Sequence, residues 1–126
     1  MVTVPRAKVL LVEDELPLLR LLERFLQRLD FEVQTYSSSV EALREFQPGR
    51  YDLVIADLGM PEMPGDAMLT RMLEVQPDLL ALVCSGSPFY VSNLSRDLEK
   101  QVGFLQKPFL PKMMLESIEA LLARRP

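Results

Sequence analysis

The sequence predicts an α/β fold, a three-layer α/β/α sandwich built on a five-stranded parallel sheet. Three observations carry this. Short apolar segments alternate with amphipathic helical ones five times along the 126 residues, the pattern of parallel strands joined by crossover helices. The central apolar segments are continuous rather than alternating, as in strands covered on both faces. Four of them stop on polar residues: Lys8 to Val12 at Glu13-Asp14, Leu53 to Ala56 at Asp57, Leu79 to Cys84 at Ser85, and Gly103 to Gln106 at Lys107-Pro108.

Each element has a local reason. Val9 to Val12 is a buried strand ended by Glu13-Asp14-Glu15. From Pro17 to Leu29, Leu18, Leu19, Leu22, Phe25, Leu26 and Leu29 recur at helical spacing, with Arg20, Glu23, Arg24, Gln27 and Arg28 between them. Pro17 suits the first turn of that helix. Phe31 to Tyr36 alternates as a half-covered strand. Ser37-Ser38-Ser39 offers an N-cap to a helix carrying Val40, Leu43 and Phe46, closed by Pro48-Gly49.

Asp52 to Ala56 is the next buried strand, followed by the Gly- and Pro-rich loop Asp57 to Gly65. A third helix starts near Gly65-Asp66, carries Met68, Leu69, Met72, Leu73 and Val75, and stops at Gln76-Pro77-Asp78. Leu79 to Cys84 is a strand, Phe89 to about Lys100 a helix with a thin apolar stripe, and Val102 to Gln106 the last strand. The last helix, Leu110 to Arg124, turns Met113, Met114, Ile118, Leu121 and Leu122 inward.

The length suits one domain, 1–126 with a core over about 8–123, and 48% apolar composition is ample for two buried faces. With 14 Lys+Arg against 18 Asp+Glu and a net charge of −4, a broad surface for nucleic acid is not expected, because phosphate binding needs clustered positive charge. Nor is a membrane segment, since no apolar stretch approaches roughly 20 residues. The single Cys84, inside an apolar run, reads as a small buried hydrophobe in a reducing cytoplasm. Histidine is absent, so proton or phosphoryl chemistry must use carboxylates, hydroxyls or lysines.

Polar residues ending parallel strands converge, because ligands in such sheets bind beyond the strands' carboxyl ends. Glu13, Asp14 and Asp57 would then meet Ser85 and Lys107. Two like charges about 4 Å apart repel by roughly 4 kcal/mol at an effective dielectric near 20. Three carboxylates and one ammonium leave a charge of −2, which a divalent cation cancels. All-oxygen ligands favour a hard ion, and Mg²⁺ suits one or two carboxylates with waters left for a phosphoryl group to displace. The loop Glu13 to Pro17 repels a directly seated nucleotide phosphate, which would want backbone N–H groups on a Gly-rich turn.

Together these residues resemble the receiver domain of two-component response regulators, over Val9 to about Leu122 and through five separated motifs in order. The resemblance implies a doubly wound, flavodoxin-like sheet in strand order 2-1-3-4-5. It implies that Asp57 accepts a phosphoryl group from a histidine-kinase phosphohistidine, in a Mg²⁺-dependent reaction. Asp14 would ligate Mg²⁺ directly, Glu13 through water, and Asp57 and the Gly59 backbone carbonyl would complete the protein ligands. Ser85 would bond a phosphoryl oxygen and Lys107 would pair with the phosphoaspartate. Lys107-Pro108 would be a cis peptide. Phe104 matches an aromatic position that swings inward when Ser85 moves, so Ser85 and Phe104 would form a conformational switch.

The implied partners are a histidine kinase or phosphotransfer protein and a downstream protein or attached domain. The implied role is regulatory, with self-catalysed phosphorylation and dephosphorylation only. Glu13 stands where aspartate is more usual, and Phe104 lacks a hydroxyl, so a switch there rests on packing. Small residues at Gly59 and Ser87 should leave water access to the phosphoryl group. Glu15 and Glu62 read as solvated charges near the mouth of the site, and the methionines between Met60 and Met72 and at Met113-Met114 as helix core. An alternative is a pseudo-receiver that keeps the fold as an interaction scaffold. A phosphatase of the haloacid-dehalogenase kind would want a second aspartate where Gly59 stands. Because the chain stops just after its last helix, it is expected to be a stand-alone receiver or one excised from a larger protein.

Overall fold

The computed structural model describes residues 4–86 and 100–124. Their elements run β1 (Lys8–Val12), α1 (Leu16–Arg28), β2 (Glu32–Tyr36), α2 (Ser39–Glu45), β3 (Leu53–Asp57), α3 (Gly65–Val75), β4 (Leu80–Ser85), β5 (Val102–Gln106) and α4 (Pro111–Ala123). The helix expected from Phe89 to Lys100 lies outside the described residues except for its last position. Every strand pairing is parallel, and the sheet order is β2-β1-β3-β4-β5. The doubly wound α/β/α expectation, with its strand order, is borne out.

The two faces of the sheet read off alternate residues. Val9, Leu11, Leu53, Ile55, Leu80 and Leu82 meet Leu19, Leu22 and Leu26 of α1 and Met114, Ile118 and Leu121 of α4. Leu10, Val12, Val54, Ala56, Ala81 and Val83 meet Ala42 of α2 and Met68, Leu69 and Met72 of α3. Each fully buried aliphatic side chain contributes about 1.5–3 kcal/mol. A one-residue slip of β1 or β3 would send every side chain to the opposite face, so two filled cores pin the register and fix where each strand ends.

Element boundaries moved by single residues, each for a local reason. Phe31 is buried, but its N–H donates to the Leu26 carbonyl at 3.2 Å and completes the turn after α1, so β2 begins at Glu32. Leu79 donates to Gln76, closing a turn before β4. Asp57 and Ser85 stay within their strands because they pair with Cys84 and Gln106. Of the three serines at the start of α2, Ser38 is the N-cap, accepting the Glu41 N–H at 3.2 Å. Pro17 and Pro111 open α1 and α4, where a missing N–H costs nothing.

Candidate functional site

The strand order reverses at β1, whose neighbours are β2 and β3, so the crevice beyond β1 and β3 is the expected ligand position of a doubly wound sheet. Val12 pairs with Ala56; one step further on stand Glu13 and Asp57. Asp57 pairs across β3 and β4 with Cys84, and Ser85 follows, opposite Gln106 of β5. The next residue is Lys107, whose N–H donates to the Ser85 carbonyl at 2.8 Å. Sheet register alone therefore brings residues more than 90 positions apart to one edge.

Carboxylate oxygens of Glu13, Asp14 and Asp57 all lie within 4.8 Å of one another. Lys107 Nζ donates to Glu13 Oε1 at 2.7 Å and to Asp57 Oδ2 at 3.0 Å. The other oxygen of each carboxylate is also engaged: Glu13 Oε2 accepts from the Glu15 N–H at 3.2 Å, and Asp57 Oδ1 from the Gly59 N–H at 3.0 Å. Glu13 is 3% exposed and Asp57 9%, whereas Asp14 faces solvent. The cluster is thus open on the Asp14 side and closed behind.

Burial dominates its electrostatics. It pushes the Glu13 carboxyl from the usual 4.5 up to about 7, against the lowering pull of the bonds from Lys107 and the Glu15 N–H, and Asp57 adds to the rise. Burial alone would lower the Lys107 ammonium, but its bonds to Glu13 and Asp57 outweigh that and push its pKa up. The cluster therefore holds a firmly charged lysine and carries more negative charge than it neutralises, a donor set suited to a hard divalent cation.

The remaining predicted residues sit around this centre. Ser85 ends β4 and is 4% exposed. Phe104 is half-buried, opposite Val83 and packed on the α2/α3 core. Lys107-Pro108 is a cis peptide, as the resemblance implied. Glu15 and Glu62 are exposed. Beside Lys107, Glu15, Leu18, Pro108 and Phe109 line an open cleft of about 350 Å³.

Two residues had no place in the sequence reading of the site. A Cβ on Gly65 would overlap the Asp57 backbone carbonyl, so this glycine lets α3 start against the end of β3. Its presence after Pro64 signalled a helix start, but not this close approach. Ser39, 1% exposed, donates to the Met63 carbonyl at 2.6 Å and ties α2 to the loop after Asp57. Nothing in the local sequence separates it from the two neighbouring serines.

Residues 9–119 match the response regulator receiver domain. The chain is 28% identical over 115 residues to the response regulator receiver protein CpdR of Brucella abortus, covering 91% of this chain and 96% of CpdR. It is 34% identical over 123 residues to the sensor kinase CckA of the same organism, but spans only 13% of that protein. Among solved structures, a response regulator receiver domain protein from Clostridium thermocellum superposes with a TM-score of 0.81 at 27% identity, covering 94% of this chain and 95% of that one. The response regulator TrrA of Thermotoga maritima, solved in complex with Mg²⁺ and BeF, gives 0.78 at 29% identity, covering 90% of this chain and 97% of TrrA. With its strand order, its strand-end residues and a match spanning most of its length, the chain belongs to the response regulator receiver domain family.

Proposed function

We propose that this chain, as one receiver unit over about 8–123, accepts a phosphoryl group on Asp57 from a histidine kinase or phosphotransfer protein and passes the signal to a downstream protein or attached domain. The observation that carries this is the Lys107 ammonium bonded to a nearly buried Asp57 within a three-carboxylate cluster. A carboxylate nucleophile needs no general base, in keeping with a chain that has no histidine. As the P–N bond of a phosphohistidine breaks, an Asp57 O–P bond forms. The electron pair stays on the imidazole nitrogen, which takes up a proton.

In this reading Lys107, already bonded to Asp57, would pair with the incoming phosphoryl oxygens, and the Ser85 hydroxyl would donate to one of them. Asp14, Asp57 and the Gly59 carbonyl would hold Mg²⁺. Glu13, with both oxygens already engaged, would act through water. When bound, the cation supplies charge neutralisation at the phosphoryl group. Phosphorylation turns one negative charge into roughly two with three acceptor oxygens. That change would draw Ser85 inward and repack Phe104, the switch.

The reading places the protein in the cytoplasm and makes it a regulatory domain, with no enzymatic activity beyond its own phosphorylation and dephosphorylation and no direct contact with nucleic acid. Among the described residues, no helix is long and apolar enough to cross a membrane. Intact-protein mass spectrometry after incubation with acetyl phosphate tests it, with and without Mg²⁺, on the wild type and Asp57→Ala. One phosphoryl group gained only with both Mg²⁺ and Asp57 is the expected result. No gain under any condition would overturn it in favour of a scaffold that is not switched by phosphorylation.

A further inference from the structure

We propose that Ser39 is a positioning residue for the cation site, acting through the loop that follows Asp57. The inference rests on reading the carboxylate cluster as a Mg²⁺ site. The loop from Leu58 to Pro64 is fixed at its base: the Leu58 N–H donates to the Cys84 carbonyl at 2.9 Å, and the Gly65 N–H to the Leu58 carbonyl at 3.3 Å. Between those anchors, Gly59 is the residue whose carbonyl would face the cation, and Met60 is buried in the α2/α3 core. The far limb of the loop is held from outside by Ser39, whose hydroxyl donates to the Met63 carbonyl across 24 positions of sequence.

Ser39 sits in the first turn of α2, a helix that takes no part in the cluster itself. Its hydroxyl is nearly sealed from solvent, so removing it leaves the Met63 carbonyl without its buried donor. Met63 itself is only half-buried, so its carbonyl regains a partner by moving toward water, and the loop moves with it. The limb carrying Met63 is joined to Gly59 through Met60, Pro61 and Glu62; buried Met60 and the Gly59 N–H bond to Asp57 Oδ1 restrain the near end, so the Gly59 carbonyl shifts only in part. Asp57 does not, because β3 is paired on both sides. The predicted defect is therefore selective, weakening metal binding while leaving the Asp57–Lys107 pair in place.

Ser38 supplies a built-in control. It is adjacent in sequence and caps the same helix through the Glu41 N–H, yet among the described residues no side-chain hydrogen bond joins it to the loop. Calorimetric titration of Mg²⁺ into the wild type, Ser39→Ala, Ser39→Cys and Ser38→Ala, with melting temperatures taken on the same samples, tests the proposal. Ser39→Ala should weaken Mg²⁺ affinity by roughly three- to tenfold, less than the tenfold or more typical of groups that touch a metal ligand directly. Ser39→Cys, which keeps the shape with a weaker donor, should fall between. Ser38→Ala should lower the melting temperature and leave the affinity unchanged. Equal affinities in all four proteins, or an equal loss in Ser38→Ala and Ser39→Ala, would overturn the role of Ser39. Absence of Mg²⁺ binding by the wild type would overturn the metal-site reading with it.

Discussion

Lys107 Nζ stands 2.7 Å from Glu13 Oε1, closer than its 3.0 Å contact with Asp57. The lysine is therefore shared between a candidate metal-side carboxylate and the candidate phosphoacceptor. In Lys107→Met, Glu13 and Asp57 would face each other without a cation, and breaking a fully buried pair costs about 3–5 kcal/mol. Lys107 retains 23% side-chain exposure, so about 1–3 kcal/mol is expected in metal-free buffer. Urea denaturation measures it, and added Mg²⁺ should restore part of the loss. A variant as stable as the wild type in metal-free buffer would show that the pair contributes nothing.

The raised Glu13 pKa fixes the sign of one pH dependence. Between the ordinary 4.5 and about 7, the folded protein keeps a proton that the unfolded chain has released. The contribution of neutral Glu13 is therefore complete below 4.5 and declines as pH rises toward 7. In metal-free buffer the melting temperature of the wild type should fall across that window more steeply than that of Glu13→Gln. Parallel profiles would rule out Glu13 as the source.

Gly65 and Gly59 should respond differently to a methyl group. At Gly65 a Cβ overlaps the Asp57 backbone, which cannot swing aside; at Gly59 it would make an ordinary 3.6 Å contact with Asp57 Oδ1. Gly65→Ala should cost about 1–3 kcal/mol, and Gly59→Ala no more than about 0.5 kcal/mol. Chemical denaturation of the two variants compares them directly, and equal costs would contradict the close approach.

Cys84 should be inert in the native protein. It is buried beneath the site, and burial pushes its thiol up to about 12, so almost no thiolate exists at neutral pH. A thiol reagent at pH 8 should label it only after denaturation. Rapid labelling of the folded protein would show that the sheet edge opens.

What the sequence determined by itself is local. Apolar periodicity marked Val9 to Val12 as a two-sided strand and α1 as an amphipathic helix, because both depend on neighbours a few residues away. The polar residues at the ends of β1, β3, β4 and β5 were equally plain, since each interrupts an apolar run, and the family resemblance supplied their order in space. What only the tertiary structure decided are contacts across long separations: Lys107 shared with Glu13, 94 positions away, Ser39 rather than Ser38 reaching Met63, and Gly65 lying against the Asp57 backbone. Such contacts depend on sheet register and on how closely two backbones pack. Those are set by the filling of both cores at once, a property of the whole chain that no stretch of it carries alone.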